Sequence, residues 1–443
     1  MSKQVGYQNF GSFHTENVEE LIRQSDDVYA PPARPFPVAD LFSEKHLASF
    51  GLSARQHFLL DLEAFVFVNH GAFGAVVTPA HEEALRWRLH CEKQPLRFLD
   101  RELFPHIVRV LRELAAFVHC RPQDLVVLPN ATTGLNTVIQ SIPLTVADAV
   151  FSLNIGYGSV KKMVQSVCSA TGATAVTGQV TFPIRGPEDV LAAVDRAMPP
   201  NTKLAIFDAV TSNTAVLLPL PDLIALCKAR GVLVLIDGAH ALGMLDVDLN
   251  LLGADFFVAN CHKWLCAPKG SAMLWVREQH HDLIKPLIIS HGAGCGFTSD
   301  FIWDGCRDYS PLLAVSAAVR FWQGIGPTQA RTYMRDVLTQ AVQNMTQRWQ
   351  TDTLVPLSMC GTMALVRLPM APQLPGNGPT ATSADAKAVQ DCLYFQCHVE
   401  APIKCIQAAL YVRLSAHIYN VLDDYDRVAM AIEQALQATF NSQ

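Results

Sequence analysis

The twelve cysteines of this 443-residue chain are scattered, with no CxxC pair and no Cys/His spacing of a zinc site. That excludes a thioredoxin-like or zinc-ribbon motif; reduced thiols in the cytoplasm, and no metal, are the expectation. Charge is scarce, at 17% of residues, and the net charge is −6 with no basic run. Nothing here attracts nucleic acid or an anionic membrane surface. Apolar runs such as "GVLVLID" are too short to cross a bilayer. The opening "MSKQVGYQNFGSFHTENVEE" has no apolar core of a secretory leader, and "FNSQ" has no prenylation or retention signal. There is no GxxxxGK[ST] loop, and "HGAFGAV" and "HGAGCGF" do not read GxGxxG after a strand. Internal repeats and low-complexity tracts are absent as well.

What is present is half apolar and strongly patterned. Seven apolar runs read as strands: "DLVVL" (124–128), "DAVFSL" (148–153), "ATAVTG" (173–178), "KLAIFD" (203–208), "VLVLID" (232–237), "DFFVAN" (255–260) and "SAMLWV" (271–276). Helical patterns such as "GLNTVIQSI", "PEDVLAAVDRAM" and "PDLIALCKAR" lie between several of them. Continuous apolar strands alternating with helices imply an α/β fold whose mostly parallel seven-stranded sheet is buried on both faces. The chain divides into an N-terminal arm and covering segment (1–75), a large domain (76–318) and a smaller α+β domain (319–443). Residues 29–42, "YAPPARPFPVADLF", read as an extended arm, and the Pro/Gly-rich 372–386 as a surface loop.

Ligands of open parallel sheets bind at the carboxyl ends of strands, and three strand ends carry suitable chemistry. After "LVVLP", the segment Asn130–Gly134 leads into a helix starting near Leu135. Backbone N–H groups and threonine hydroxyls there suit a phosphate, although Thr132 or Thr133 could equally be a plain helix cap. Asp237 ends a buried strand, with His240 three residues on. A buried carboxylate needs a cation or several donors, such as a protonated heteroaromatic ring; the alternative is a turn-forming Asp-Gly. Lys263 follows the next strand, 26 residues later. One helix-and-strand unit fits that interval, so both side chains can face one crevice. A lysine against apolar walls becomes a nucleophilic amine. Phosphate cradle, ring-nitrogen carboxylate and aldehyde-binding lysine together are what pyridoxal 5′-phosphate requires.

In the same order, "NATTGLN", "SNTA", "DGAHALG", "NCHKW" and "VRLSAHIYN" resemble the class V branch of fold-type I pyridoxal-phosphate enzymes. "VNHGAFG" and "NCHKWLCAPKGSAMLWV" resemble its isopenicillin N epimerase-like and cysteine desulfhydrase-like subgroup. The resemblance runs from about residue 65 to 430. It implies that Lys263 is the Schiff-base lysine and moves the α-proton, and that Asp237 pairs with the pyridine nitrogen. Ala131 and Thr132 would hold the phosphate with His262 beside them; Asn260 stands where the family often has serine. His240 and Asn213 would border the 3′-oxygen and ring face, and Tyr157 would stack on the ring unless it is an ordinary loop tyrosine. Arg413 would grip the substrate carboxylate, for which a bidentate guanidinium is suited. Asn69, His70 and Gly71, in the segment from Asn69 to Gly74, would bring the N-terminal segment over an amino-acid substrate, unless that stretch is only a tight turn before a helix. In "IWDGCRDYSPLLA", Cys306 replaces a threonine that reaches the neighbouring subunit's phosphate, and a thiol is a poor phosphate donor. A homodimer is still implied.

Three reactions compete once a carbanion forms at Cα. The reading preferred from the sequence is β-elimination from a cysteine-type substrate, a C–S lyase or desulfhydrase. Epimerisation and transamination are the alternatives, and a catalytically inactive cofactor-binding protein is the non-enzyme alternative. A persulfide-carrying desulfurase is disfavoured, because Cys392, Cys397 and Cys405 lie in segments that read as helix and strand rather than a mobile loop.

Overall fold

A computed structural model gives the structure of residues 16–38, 49–369 and 380–440. After a two-residue strand β1 (Val66–Phe67) come the seven strands of the main sheet. They are β2 (Leu125–Leu128), β3 (Ala149–Leu153), β4 (Thr174–Gly178), β5 (Thr202–Asp208), β6 (Leu233–Asp237), β7 (Phe256–Asn260) and β8 (Ala272–Val276). Each lies where its apolar run predicts it. Their spatial order is β2-β8-β7-β6-β5-β3-β4, and only β8 runs against its neighbours.

Side chains alternate between two apolar layers, as the two-residue period of a strand requires. Val126, Val150, Leu204, Leu235 and Val258 pack on one face, under the helices Ala131–Ser141 and Gly158–Thr171. Val127, Phe151, Phe207, Ile236 and Phe257 pack on the other. The outer strand β4 is the one whose side chains are mostly exposed, as suits an edge. No helix among the described residues is long and apolar enough to cross a membrane.

A second, smaller sheet follows, built from β9 (Met363–Arg367), β11 (Ile403–Ile406) and β12 (Ala409–Ser415), antiparallel in the order β11-β12-β9. Between them β10 (Val399–Glu400) pairs in parallel with β1, which ties the N-terminal segment to the C-terminal region. The helix Val315–Ile325 passes through the expected 318/319 boundary, and the long helix Pro327–Trp349 follows directly.

Two local readings change, and one helix is added. The first strand-to-helix junction is tighter than expected: the helix begins at Ala131, because Asn130 caps it by accepting the N–H of Thr133. Neither Thr132 nor Thr133 is the cap. The Pro/Gly-rich segment lies mostly outside the described residues, but its end is helix, starting at Ser383 behind a Thr382–Asp385 capping box. The arm over 29–38 has no helix or strand, and its last four residues lie outside the described residues. It is held by Arg112 over the Tyr29 ring and by Phe36 edge-on to Trp87, and an unforeseen helix, Glu16–Arg23, precedes it.

Candidate active site

Strands β5, β6 and β7 end side by side in Asp208, Asp237 and Asn260, above a cavity of about 180 Å³. Asn130, Ala131, Thr132, Tyr157, Asp237, His240, His262 and Lys263 all line it, as the sequence motifs require. So do Ala72 and Phe73, from the segment expected to cover the substrate, and Asp208 and Ser212, to which no motif pointed.

Lys263 lies in the turn after β7. Burial, helped by Arg413 and opposed by Asp237, lowers its pKa from 10.5 to about 8. Its Nζ is 3.4 Å from Nε2 of His240, whose Nδ1 accepts the indole N–H of Trp264 at 3.1 Å. Burial also drives His240 well below the usual imidazole range. Asp237 is buried, accepts the N–H of Ala239 at 3.0 Å, and forms no salt bridge among the described residues. Its pKa is raised, first by burial. A protonated ring nitrogen is the partner such a carboxylate lacks.

Asp208 is the second buried carboxylate, in register with Asp237 on the adjoining strand. Burial and then the nearby Asp237 push its pKa well up, while the Tyr157 N–H facing it pulls the other way. "KLAIFD" ends in aspartate just as "VLVLID" does, and that parallel was the available signal.

At the helix start the N–H of Ala131 is already taken by Oδ1 of Asn260 at 2.9 Å, and that of Thr133 by Asn130. Ala131 lines the cavity with its backbone N–H engaged inside the protein. Its amide serves to close β7 onto the helix, which leaves the Thr132 amide and hydroxyl as donors facing the cavity. Asn260, in the position of the family serine, is thus structural through its oxygen. His262 donates Nδ1–H to the Ser271 carbonyl at 2.9 Å, which leaves Nε2 for the cavity side. These groups fit a phosphate at one end of the cavity, an anion-seeking ring nitrogen at Asp237, and an aldehyde at Lys263.

The substrate side differs more. His70 is fully buried, with Nδ1 3.0 Å from the Tyr419 hydroxyl, Nε2 3.1 Å from the Lys263 carbonyl, and its ring stacked on His417. It supports the lysine turn from behind and does not line the cavity. Gly71 is buried too, where a Cβ would lie 2.3 Å from the Met363 sulfur. The reason is the helical turn His70–Phe73, which points its first residues inward and presents Ala72 and Phe73 to the cavity. Asn69 is also buried, and its amide oxygen accepts from Arg413 Nη2 at 2.8 Å.

Arg413, 3% exposed, does not line the cavity. It donates to the Ser212 carbonyl and to Asn69, its Nε is unpartnered, and no carboxylate neutralises it among the described residues. Burial lowers its pKa to about 10. Asn213 does not line this cavity: the turn after β5 brings Ser212 to it and Asn213 to a separate one beside Lys404. Tyr157 lines the wall, 38% exposed, and Cys306 is exposed in its loop.

His70, Cys266 and His417 are close enough together to hold a metal. However, both ring nitrogens of His70 already meet protein partners, and burial raises the Cys266 thiol far above its usual range. The trio packs behind Lys263 as a neutral support.

The geometry agrees with what comparison finds. The aminotransferase class-V description matches residues 103–363. A probable chloroplastic L-cysteine desulfhydrase of Arabidopsis thaliana is 29% identical over 407 residues, covering 85% of this chain and 84% of that protein. An isopenicillin N epimerase of Streptomyces clavuligerus is 28% identical over 398 residues, covering 86% and 97%. Among solved structures, the cystine C-S lyase C-DES in complex with cysteine persulfide superposes with a TM-score of 0.72 at 17% identity, covering 83% and 97%. That likeness is one of fold. With its motifs, its seven-stranded sheet and its family match in agreement, the chain belongs to the class-V aminotransferase family of fold-type I enzymes, whose cofactor is pyridoxal 5′-phosphate.

Proposed function

We propose that this enzyme is a C–S lyase of the desulfhydrase kind, acting by β-elimination on a cysteine-type amino acid. The observation that carries this reading is the pairing of His240 with Lys263 at 3.4 Å. Epimerisation needs proton-moving groups on opposite faces of Cα. His240 sits on Lys263 itself, so the two groups serve one face, which leaves Tyr157 as the other proton-bearing side chain of the wall. Elimination needs one base and a leaving group on Cβ.

Thr132 and His262 would hold the phosphate, Asp237 the ring nitrogen, and Lys263 the aldehyde carbon. Bound there, pyridoxal 5′-phosphate supplies the electron sink that acidifies the Cα proton. Arg413 would orient the substrate carboxylate through the donors it now spends on Ser212 and Asn69, together with the unpartnered Nε. Lys263, free as an amine, would take the Cα proton. The Cβ–S bond then breaks, the thiol or sulfide leaves with the electron pair, and hydrolysis of the resulting enamine gives pyruvate and ammonia. No cysteine lines the cavity, and Cys405 is fixed on β11, which supports direct release over a carried persulfide.

The test is product analysis of the loaded enzyme with L-cysteine and S-substituted cysteines. Equimolar pyruvate and released thiol or sulfide are expected. A product that keeps its carbon skeleton but has the D configuration would overturn the reading in favour of the epimerase.

A further inference from the structure

We infer that Trp264 is a positioning residue that decides which nitrogen of His240 carries a proton, and through it which form of Lys263 the site favours. An indole N–H can only donate. At 3.1 Å from Trp264 Nε1, His240 Nδ1 must therefore present its lone pair. In the neutral ring the proton then sits on Nε2, 3.4 Å from Lys263 Nζ. An N–H aimed at that nitrogen is satisfied by the lone pair of an uncharged amine, whereas an ammonium would set two donors face to face. A second proton on His240 could go only to Nδ1, where the indole N–H already points. The pair is thus held as neutral imidazole and free amine, the form in which lysine is a nucleophile and a base.

The indole cannot easily move out of this arrangement. Trp264 is 1% exposed, and its ring centroid is 4.8 Å from that of His70. His70 meanwhile meets the Lys263 carbonyl, and the Trp264 carbonyl accepts from the Cys266 thiol at 3.4 Å. A Cβ on Gly243 would come within 2.5 Å of that same carbonyl, so the turn is packed from the other side as well. The remaining charged groups around the pair act through space: Arg413 and His70 also disfavour a charge on His240. Asp237 and Asp208 favour the Lys263 ammonium and Arg413 opposes it, and none of them touches His240 Nδ1.

The functional consequence rests on the reading of Lys263 as the catalytic lysine; the tautomer does not. The decisive experiment is two-bond ¹H–¹⁵N NMR of histidine-labelled, cofactor-loaded enzyme, with His240 assigned by its loss in His240→Gln. The expected spectrum shows His240 protonated on Nε2 and bare on Nδ1. Trp264→Phe should erase that preference and slow α-proton exchange into deuterated buffer on the order of tenfold, while KM changes by less than about twofold. A wild-type His240 protonated on Nδ1, or an unchanged His240 signal in the Phe variant, overturns the inference. Should that variant not fold, the Trp264 indole N–H of the wild type serves instead. It should lose its downfield, slowly exchanging signal in His240→Leu, which offers no acceptor, and its persistence there would overturn the inference equally. A Lys263→Ala enzyme that still turns over would sink the functional reading while leaving the tautomer result standing.

Discussion

The proposed chemistry turns on the protonation of a single side chain, Lys263. Its pKa, brought down by burial to about 8, puts the free amine within reach of neutral pH. Amine-selective labelling of Lys263 in the cofactor-free protein should therefore rise with pH through a midpoint near 8, because the uncharged form is the reactive one. A midpoint near the ordinary 10.5 would show that the apolar walls and Arg413 do not act on it. Lys263 and Asp237 could be found from the sequence because each follows a buried apolar strand, and strand ends are where parallel sheets place chemistry. Asp208 ends an equally plain strand, and its parallel with Asp237 was the one available signal, since no histidine follows it to complete a motif. His70 was placed on the wrong side for a different reason. Its partners His417 and Tyr419 lie some 350 residues further along the chain, and no local pattern reports a contact at that range.

The turn His70–Phe73 and the lysine turn after β7 meet as two elements packed backbone to backbone. Gly74 lies at φ +68°, and a Cβ there would come 2.3 Å from the His262 carbonyl oxygen and 2.5 Å from the Lys263 Cα. Gly74→Ala meets both a steric clash and a left-handed backbone, so it should cost about 1–3 kcal/mol of stability. It should also weaken cofactor retention, because the displaced backbone is that of Lys263 itself. Thermal unfolding and the cofactor's absorbance after dialysis check both effects; a variant with unchanged retention would show that the two turns are independent. The seven strands were legible because fully buried strands read as unbroken apolar runs. Helix starts were less so, since Asn130 and Thr382 act through hydrogen bonds to residues three further on, which a hydrophobic period does not display.

For the whole molecule, the cavity draws on three distant parts of the chain: the 70–74 turn, the ends of the central strands, and, through Ser212, Arg413 on β12. Its mouth carries Phe73, which is 77% exposed. An aromatic ring left open beside the proposed cofactor site is where a second copy of the chain would pack under the dimer that the family resemblance implies. Sedimentation of the loaded enzyme should give twice the 48.6 kDa of one chain. Replacing Phe73 by glutamate should shift it toward the single-chain mass, whereas an unchanged dimer would place the interface elsewhere.

Elimination driven by a lysine base on one face of Cα leaves a distinct signature in proton NMR in deuterated buffer. With the loaded enzyme and a panel of cysteine and S-substituted cysteines, the account predicts pyruvate with a deuterated methyl group appearing as the sulfur substituent is released. Loss of the α-proton signal with the carbon skeleton and sulfur group intact would contradict it, and would point to proton return at Cα or at the cofactor.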